Sequence, residues 1–226
     1  MKSSKISFPL VHKKSSLPTF ALFTSIVGAL PMLMVMWVAI CSKFTNVEGT
    51  NGTDIYNVYV SVRAIFAIVL VASLVLYELR RASVVLLPTA VLGFISSTMK
   101  LIISFSDYAN KKALAEAMSM HPSYTQNFID IAEAAVLTLT AAALLLYLLG
   151  IFKTSFPVIF VDVITIVMLL YSVISYSVTY EVSEYTVFCR CANIFVCASV
   201  LLFCLSSKTR AELEGKVKYV PRRMKK

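Results

Sequence analysis

Long apolar runs broken by short polar segments dominate this chain, and strict alternation of polar and apolar positions is absent from it. A helix crosses the roughly 30 Å hydrocarbon layer with about 20 apolar residues. Six runs reach that size, at about 17–41, 56–79, 84–106, 128–152, 156–180 and 185–206. They are too long for barrel strands and lack their dyad pattern. The pattern predicts an all-α integral membrane protein of six transmembrane helices, with a basic arm over 1–16 and a polybasic tail over 208–226.

Within the runs, polar side chains recur at helical spacing. Gly93, Ser97, Lys100, Ser104 and Asp107 share one face of the third run, and Glu133, Thr140 and Tyr147 one face of the fourth. Asp162, Thr165, Ser172, Ser175 and Thr179 mark the fifth, and Thr186, Arg190, Asn193, Cys197 and Cys204 the sixth. Such stripes must turn away from acyl chains, either to pack helices closely or to line a groove.

Ionisable groups sharpen this reading, because charge in hydrocarbon is costly and marks a polar interior, a pathway or a pairing contact. Lys100, Glu133 and Arg190 each sit five or six residues from the expected outer end of their run and Arg63 seven, with Asp130 slightly nearer the surface. They are expected to form one layer at similar depth. Long Arg and Lys stems can instead bend outward to the headgroups; the shorter Asp and Glu side chains have less reach. Asp162 lies apart, in the inner half of the fifth run. Its candidate partners are Arg80, Arg81, a proton or water, and its candidate role is coupling or gating.

Composition adds the class: 58% hydrophobic and 15% charged residues over 226, with a mean hydropathy of +0.80, exclude an ordinary soluble domain. The net charge of +9 follows loop asymmetry. Lys and Arg concentrate in the two termini and in the Arg80–Arg81 and Lys153 loops, which predicts both termini inside. A nucleic-acid partner is therefore not indicated, whereas the Lys208–Lys226 tail suits an anionic inner leaflet. The first run exceeds the h-region of a signal peptide and is read as a permanent span. The expected location is the cell membrane, as a multi-pass protein of the bacterial cytoplasmic membrane.

Leu17-Pro18, Leu87-Pro88 and Phe156-Pro157 open the first, third and fifth runs at steps of about 70 residues, each proline in a first helical turn where its missing N–H is harmless. At that offset Arg63 falls on Glu133 and, with a one-residue shift, on Arg190. The chain thus has the look of three pseudo-repeated helical hairpins. Between the third and fourth runs, Asn110 to Met120 reads as a short amphipathic helix, a plain surface helix in preference to a flap over the outer layer.

Other chemistry is sparse. The two histidines lie outside the runs, no metal-ligand spacing or phosphate-cradling loop occurs, and the cysteines of the sixth run are not arranged to bind metal. Asp130 and Glu133 share a face, but no nucleophile accompanies them, so no catalytic residue, metal or cofactor is assigned. The leading function is a transporter or substrate-binding membrane subunit for a small polar or zwitterionic solute, held by Arg63, Lys100, Asp130, Glu133, Arg190 and Asn193. The rival is a non-transporting assembly subunit whose intramembrane charges pair with another membrane protein or a second copy.

In size and span count the chain resembles the six-helix substrate-capturing subunits of bacterial vitamin uptake systems. That resemblance implies ligand binding in the outer half and docking through small residues of the first helix. Ala21, Ser25, Gly28 and Ala29 stand there, without that family's paired alanines. The likeness is one of architecture, and no residue role is carried over from it.

Overall fold

The computed structural model describes residues 17–44, 54–80, 83–120, 122–179 and 184–214. Every regular element among them is helical: α1 (Leu17–Phe44), α2 (Asp54–Arg80), a 3-10 turn (Ser83–Leu86), α3 (Leu87–Ala117), α4 (Thr125–Leu148), α5 (Phe156–Thr179), α6 (Glu184–Leu205) and α7 (Ser207–Leu213). Five of these, α1 to α5, contain stretches long and apolar enough to cross a membrane. The apolar stretch of α6, Cys189–Leu205, is shorter.

The six long helices form a closed ring. Each packs on its neighbour in sequence, and α6 returns to α1. Short connections force this up-and-down order, since a helix reversed by a few residues can only lie beside its predecessor. Below, the end where α1 begins is the near end, and the end where α2 begins is the far end.

Side chains are sorted inside out relative to a soluble bundle. Small and polar groups fill the interior, with Ala21, Ser25, Ala64, Ala67, Ala134, Thr165 and Ser172 fully buried. Large apolar groups such as Phe23, Trp37, Ile68, Ile102, Leu139, Val167 and Ile174 stand exposed around the ring. A coat of that kind suits a non-aqueous solvent, and with five helices long and apolar enough to cross a membrane the fold is compatible with a multi-pass membrane protein.

Small residues set the tightest seam. Ala21, Ser25 and Ala29 bury one face of α1, and a Cβ on Gly28 would lie 2.9 Å from the Ala192 carbonyl oxygen of α6. Backbones approach this closely only where side chains are absent. At the end of α4, Gly150 takes φ +76° while its N–H and that of Ile151 bond the carbonyls of Tyr147 and Leu146, each at 3.0 Å. This left-handed cap frees the chain to turn back into α5.

Two sequence expectations change. Asn110–Ala117 is not a separate amphipathic helix but the continuation of α3, which ends only at Ala117. Lys111 fixes the extension to the start of α4 by donating to the Ser123 carbonyl at 2.9 Å and to Asn127 Oδ1 at 3.2 Å, and Tyr108 packs edge-on against Tyr124. Packing of this kind, not local amphipathicity, decides where the helix stops. Likewise the expected tail begins inside the fold: Thr209 of α7 is fully buried, its hydroxyl 3.3 Å from Tyr77 of α2. The arm 1–16 and the tail beyond Glu214 lie outside the described residues.

Candidate functional site

Toward the far end the interior carries charge. Glu133 of α4 is fully buried, with Lys100 of α3 paired to Oε1 and Arg190 of α6 paired to Oε2 at 3.0 Å. Ser172 of α5 donates to the same Oε2 at 3.0 Å. One carboxylate thus ties four helices. It satisfies its lone pairs inside the protein, as a buried anion must.

Arg190 reaches further. Its Nη2 donates to Asp130 Oδ1 at 2.5 Å, one helical turn above Glu133, and its guanidinium carbon stacks 3.4 Å from the Tyr176 ring centre. The Tyr176 hydroxyl lies 3.0 and 3.1 Å from the two Asp130 oxygens, to which it donates. Two carboxylates and a π-face therefore surround one guanidinium, a geometry that a planar fork matches and an ammonium does not.

Arg63 of α2 stands apart from this cluster. It donates to the Tyr59 hydroxyl, to Asn193 Oδ1 at 2.5 Å and to the Cys189 carbonyl at 3.5 Å. Among the described residues no carboxylate lies within ion-pair distance of it.

Beside the layer lies a cavity of about 90 Å³, walled by α1, α2, α3, α4 and α6. At roughly 10–15 Å³ per water, it has room for several. Arg63, Lys100 and Asn193 line its far end; Phe66, Leu70, Leu137, Leu144, Val196 and Val200 supply most of the rest, with Thr89, Thr140 and Cys197 among them. Leu70 follows Arg63 by seven residues, about 10 Å along the helix, so the two cations stand toward one end of a cavity whose remaining lining is mostly apolar. A smaller void continues toward the near end, sharing Leu70, Thr89, Leu144 and Val200.

The structure thus brings Lys100, Asp130, Glu133 and Arg190 into one ion-paired cluster and sets Arg63 with Asn193 beside it. Sequence reasoning missed Tyr59 and Tyr176. Both were readable at one-turn spacing: Tyr59 precedes Arg63 by four positions, and Tyr176 follows Ser172 by four. No protein-family model, curated protein or solved structure matches this chain. The site must therefore be read from its own chemistry.

Asp162 occupies a different place. It is fully buried on α5, and neither carboxylate oxygen has a hydrogen-bond partner of ordinary geometry among the described residues. The Cys197 thiol of α6 is the polar group beside it, and Cys197 itself lines the cavity. One turn on, Thr165 pairs with Thr140 of α4 at 2.7 Å, so this part of the wall is polar on both sides. The Arg80 side chain and Arg81, the partners expected from sequence, lie outside the described residues.

A buried carboxylate with no described cation against it is expected to add little to the fold. Asp162→Asn should leave the melting temperature of the detergent-solubilised protein unchanged or raised, because removal strands no opposite charge. A marked fall in that temperature would show that Asp162 holds a partner essential to the fold.

Proposed function

We propose that this protein is a small solute-binding membrane protein, either a transporter or the capturing subunit of one, whose site is the cavity beside the charged layer. The six long helices all cross the bilayer, with both termini inside, in the cytoplasmic membrane of a bacterium. The layer then sits in the outer half. The observation that carries this reading is a void at the polar interior of the bundle, bordered by Arg63, Lys100 and Asn193. Ionisable groups inside a membrane line substrate or ion pathways far more readily than they serve stability. Asp162 and Cys197, behind the same wall, are positioned for coupling or gating.

An assembly role for the charges has less support. Pairing with another membrane protein needs charge left unspent on the lipid-facing surface, and Lys100, Asp130, Glu133 and Arg190 satisfy one another inside the ring.

Access to the cavity tests the proposal. Ser97 lines the cavity, whereas Ile102 of the same helix is 57% exposed on the outside of the ring. In a variant with the five native cysteines replaced by alanine, Ser97→Cys should react with a membrane-impermeant methanethiosulfonate added to intact cells. It should do so at least about tenfold faster than Ile102→Cys, because only a hydrated thiol forms the reactive thiolate. Equal, slow labelling at both positions would remove the solute pathway.

A further inference from the structure

We infer that the cavity selects an amphipathic monoanion, a carboxylate carried on an apolar body, and discriminates against cations and zwitterions. The inference rests on the reading of the cavity as a solute site and adds the chemical class of the solute.

The charge count of the layer is uneven. Arg63, Lys100 and Arg190 meet only Asp130 and Glu133, so one positive charge remains without a described counter-charge. Its location is Arg63, whose described hydrogen-bond partners are all neutral: a phenol, an amide oxygen and a backbone carbonyl. An unmatched cation in a low-dielectric interior is unfavourable until an anion comes to it. A ligand carboxylate supplies that anion.

The wall has the same polarity. Both Arg63 and Lys100 face the cavity, while none of Asp130, Glu133 and Asp162 lines it. Glu133 is fully buried behind Lys100, spent on Lys100, Arg190 and Ser172. The remaining polar lining near the cations comes from neutral groups such as Asn193, Ser96 and Ser97. An entering ammonium group would meet two cations and no carboxylate. A zwitterion would gain at its carboxylate and lose at its amine, so the zwitterionic solute expected from sequence is not favoured: that expectation counted Asp130 and Glu133 as contacts, and the fold turns both away from the cavity.

The apolar part of the ligand follows from the other end. Phe66, Leu70, Leu137, Leu144, Val196 and Val200 dominate that wall and offer no hydrogen bonds from their side chains, and the hydroxyls of Thr89 and Thr140 among them are already bonded to Ser73 and Thr165, so a polyhydroxylated or multiply charged body would be desolvated there with little compensation. A short aryl or alkyl body is what that wall accommodates. Such an acid can arrive from water or from the bilayer.

The test holds the body constant and varies the head. Full-length protein in phosphatidylcholine nanodiscs is equilibrated with radiolabelled phenylacetate, and phenethylamine, phenylalanine, acetate and palmitate compete. Saturable phenylacetate binding is expected, with phenethylamine and phenylalanine weaker by at least about tenfold, since like charge at a desolvated site is strongly disfavoured. Acetate should compete poorly for want of an apolar body. Displacement by palmitate at lower concentration than unlabelled phenylacetate would overturn the short apolar body; the reverse order supports it.

Arg63→Gln should weaken phenylacetate by at least about tenfold, and Arg63→Lys, which keeps the charge, by less. Because Arg63→Gln also removes a hydrogen bond from Asn193 and from Tyr59, Ser97→Asp provides a second route: it adds a carboxylate to the wall and should abolish phenylacetate binding with the melting temperature retained. Phenethylamine or phenylalanine binding as well as phenylacetate would overturn the anion assignment while leaving a solute cavity in place. No saturable binding of any probe would overturn it too, and thiol access at Ser97→Cys then reports separately on whether the cavity is a pathway at all.

Discussion

Glu133→Gln should cost about 3–5 kcal/mol of folding stability, the range for breaking a buried ion pair by removing one partner. Glu133 holds Lys100 and Arg190 at once and is itself fully buried, so the amide leaves two neighbouring cations with Asp130, paired to Arg190, as the one described counter-charge. Asp130 keeps a partly exposed side chain and does not reach Lys100 within ion-pair distance. Reversible unfolding of the full chain in mild detergent measures the loss. Adding Lys100→Met should recover much of it, because Arg190 and Asp130 then remain as a balanced pair; a double-mutant cycle should give a coupling of at least about 1.5 kcal/mol. A loss under about 1 kcal/mol for the single variant would mean that Lys100 and Arg190 are hydrated, with the layer behaving as a surface network.

The second large effect concerns ring closure. Gly28→Val places a Cβ 2.9 Å from both the Ala192 carbonyl oxygen and Val196 Cγ2, and 3.2 Å from Phe195 Cβ. The carbonyl belongs to the α6 backbone and cannot rotate away, so the helices must separate. Overpacking costs about 1–3 kcal/mol, and Gly28→Val should lie at the upper end. Val196 also lines the cavity, so phenylacetate binding should fall with stability. Gly93→Ala is the contrast: the nearest atoms to its Cβ belong to the Phe66 ring, from 3.1 Å, and a side chain can shift. The paired melting temperatures check the point, and equal losses at Gly28 and Gly93 would show that the α1–α6 seam has more slack than its distances imply.

Much of the site was legible before any coordinates. The stripe Glu133, Thr140 and Tyr147 is buried throughout, as are Asp162, Thr165 and Ser172, because a helix of 3.6 residues per turn in an apolar solvent has one place to put its polar face. Depth was legible for the same reason: rise per residue is fixed, so groups equally far from the ends of antiparallel spans fall at one level. Partnership was not. Nothing local distinguishes Glu133, which is enclosed by Lys100, Arg190 and Ser172, from Asp130, one turn away and still partly exposed, or says that Arg63 would be left with Asn193 and Tyr59.

The amino-acid sequence by itself determined the all-helical class of this protein, the apolar stretches long enough to cross a membrane and the hidden faces of α4 and α5, since these depend on hydrophobic period and run length alone. Tertiary structure decided the rest: the ring order, the continuation of α3 through Ala117, the docking of α7, and the division of five charges into a neutral cluster and one cation at a cavity. The reason is that pairing depends on rotation about each helix axis and on distances between helices. Those are set by contacts such as Gly28 against Ala192, between residues far apart in the chain.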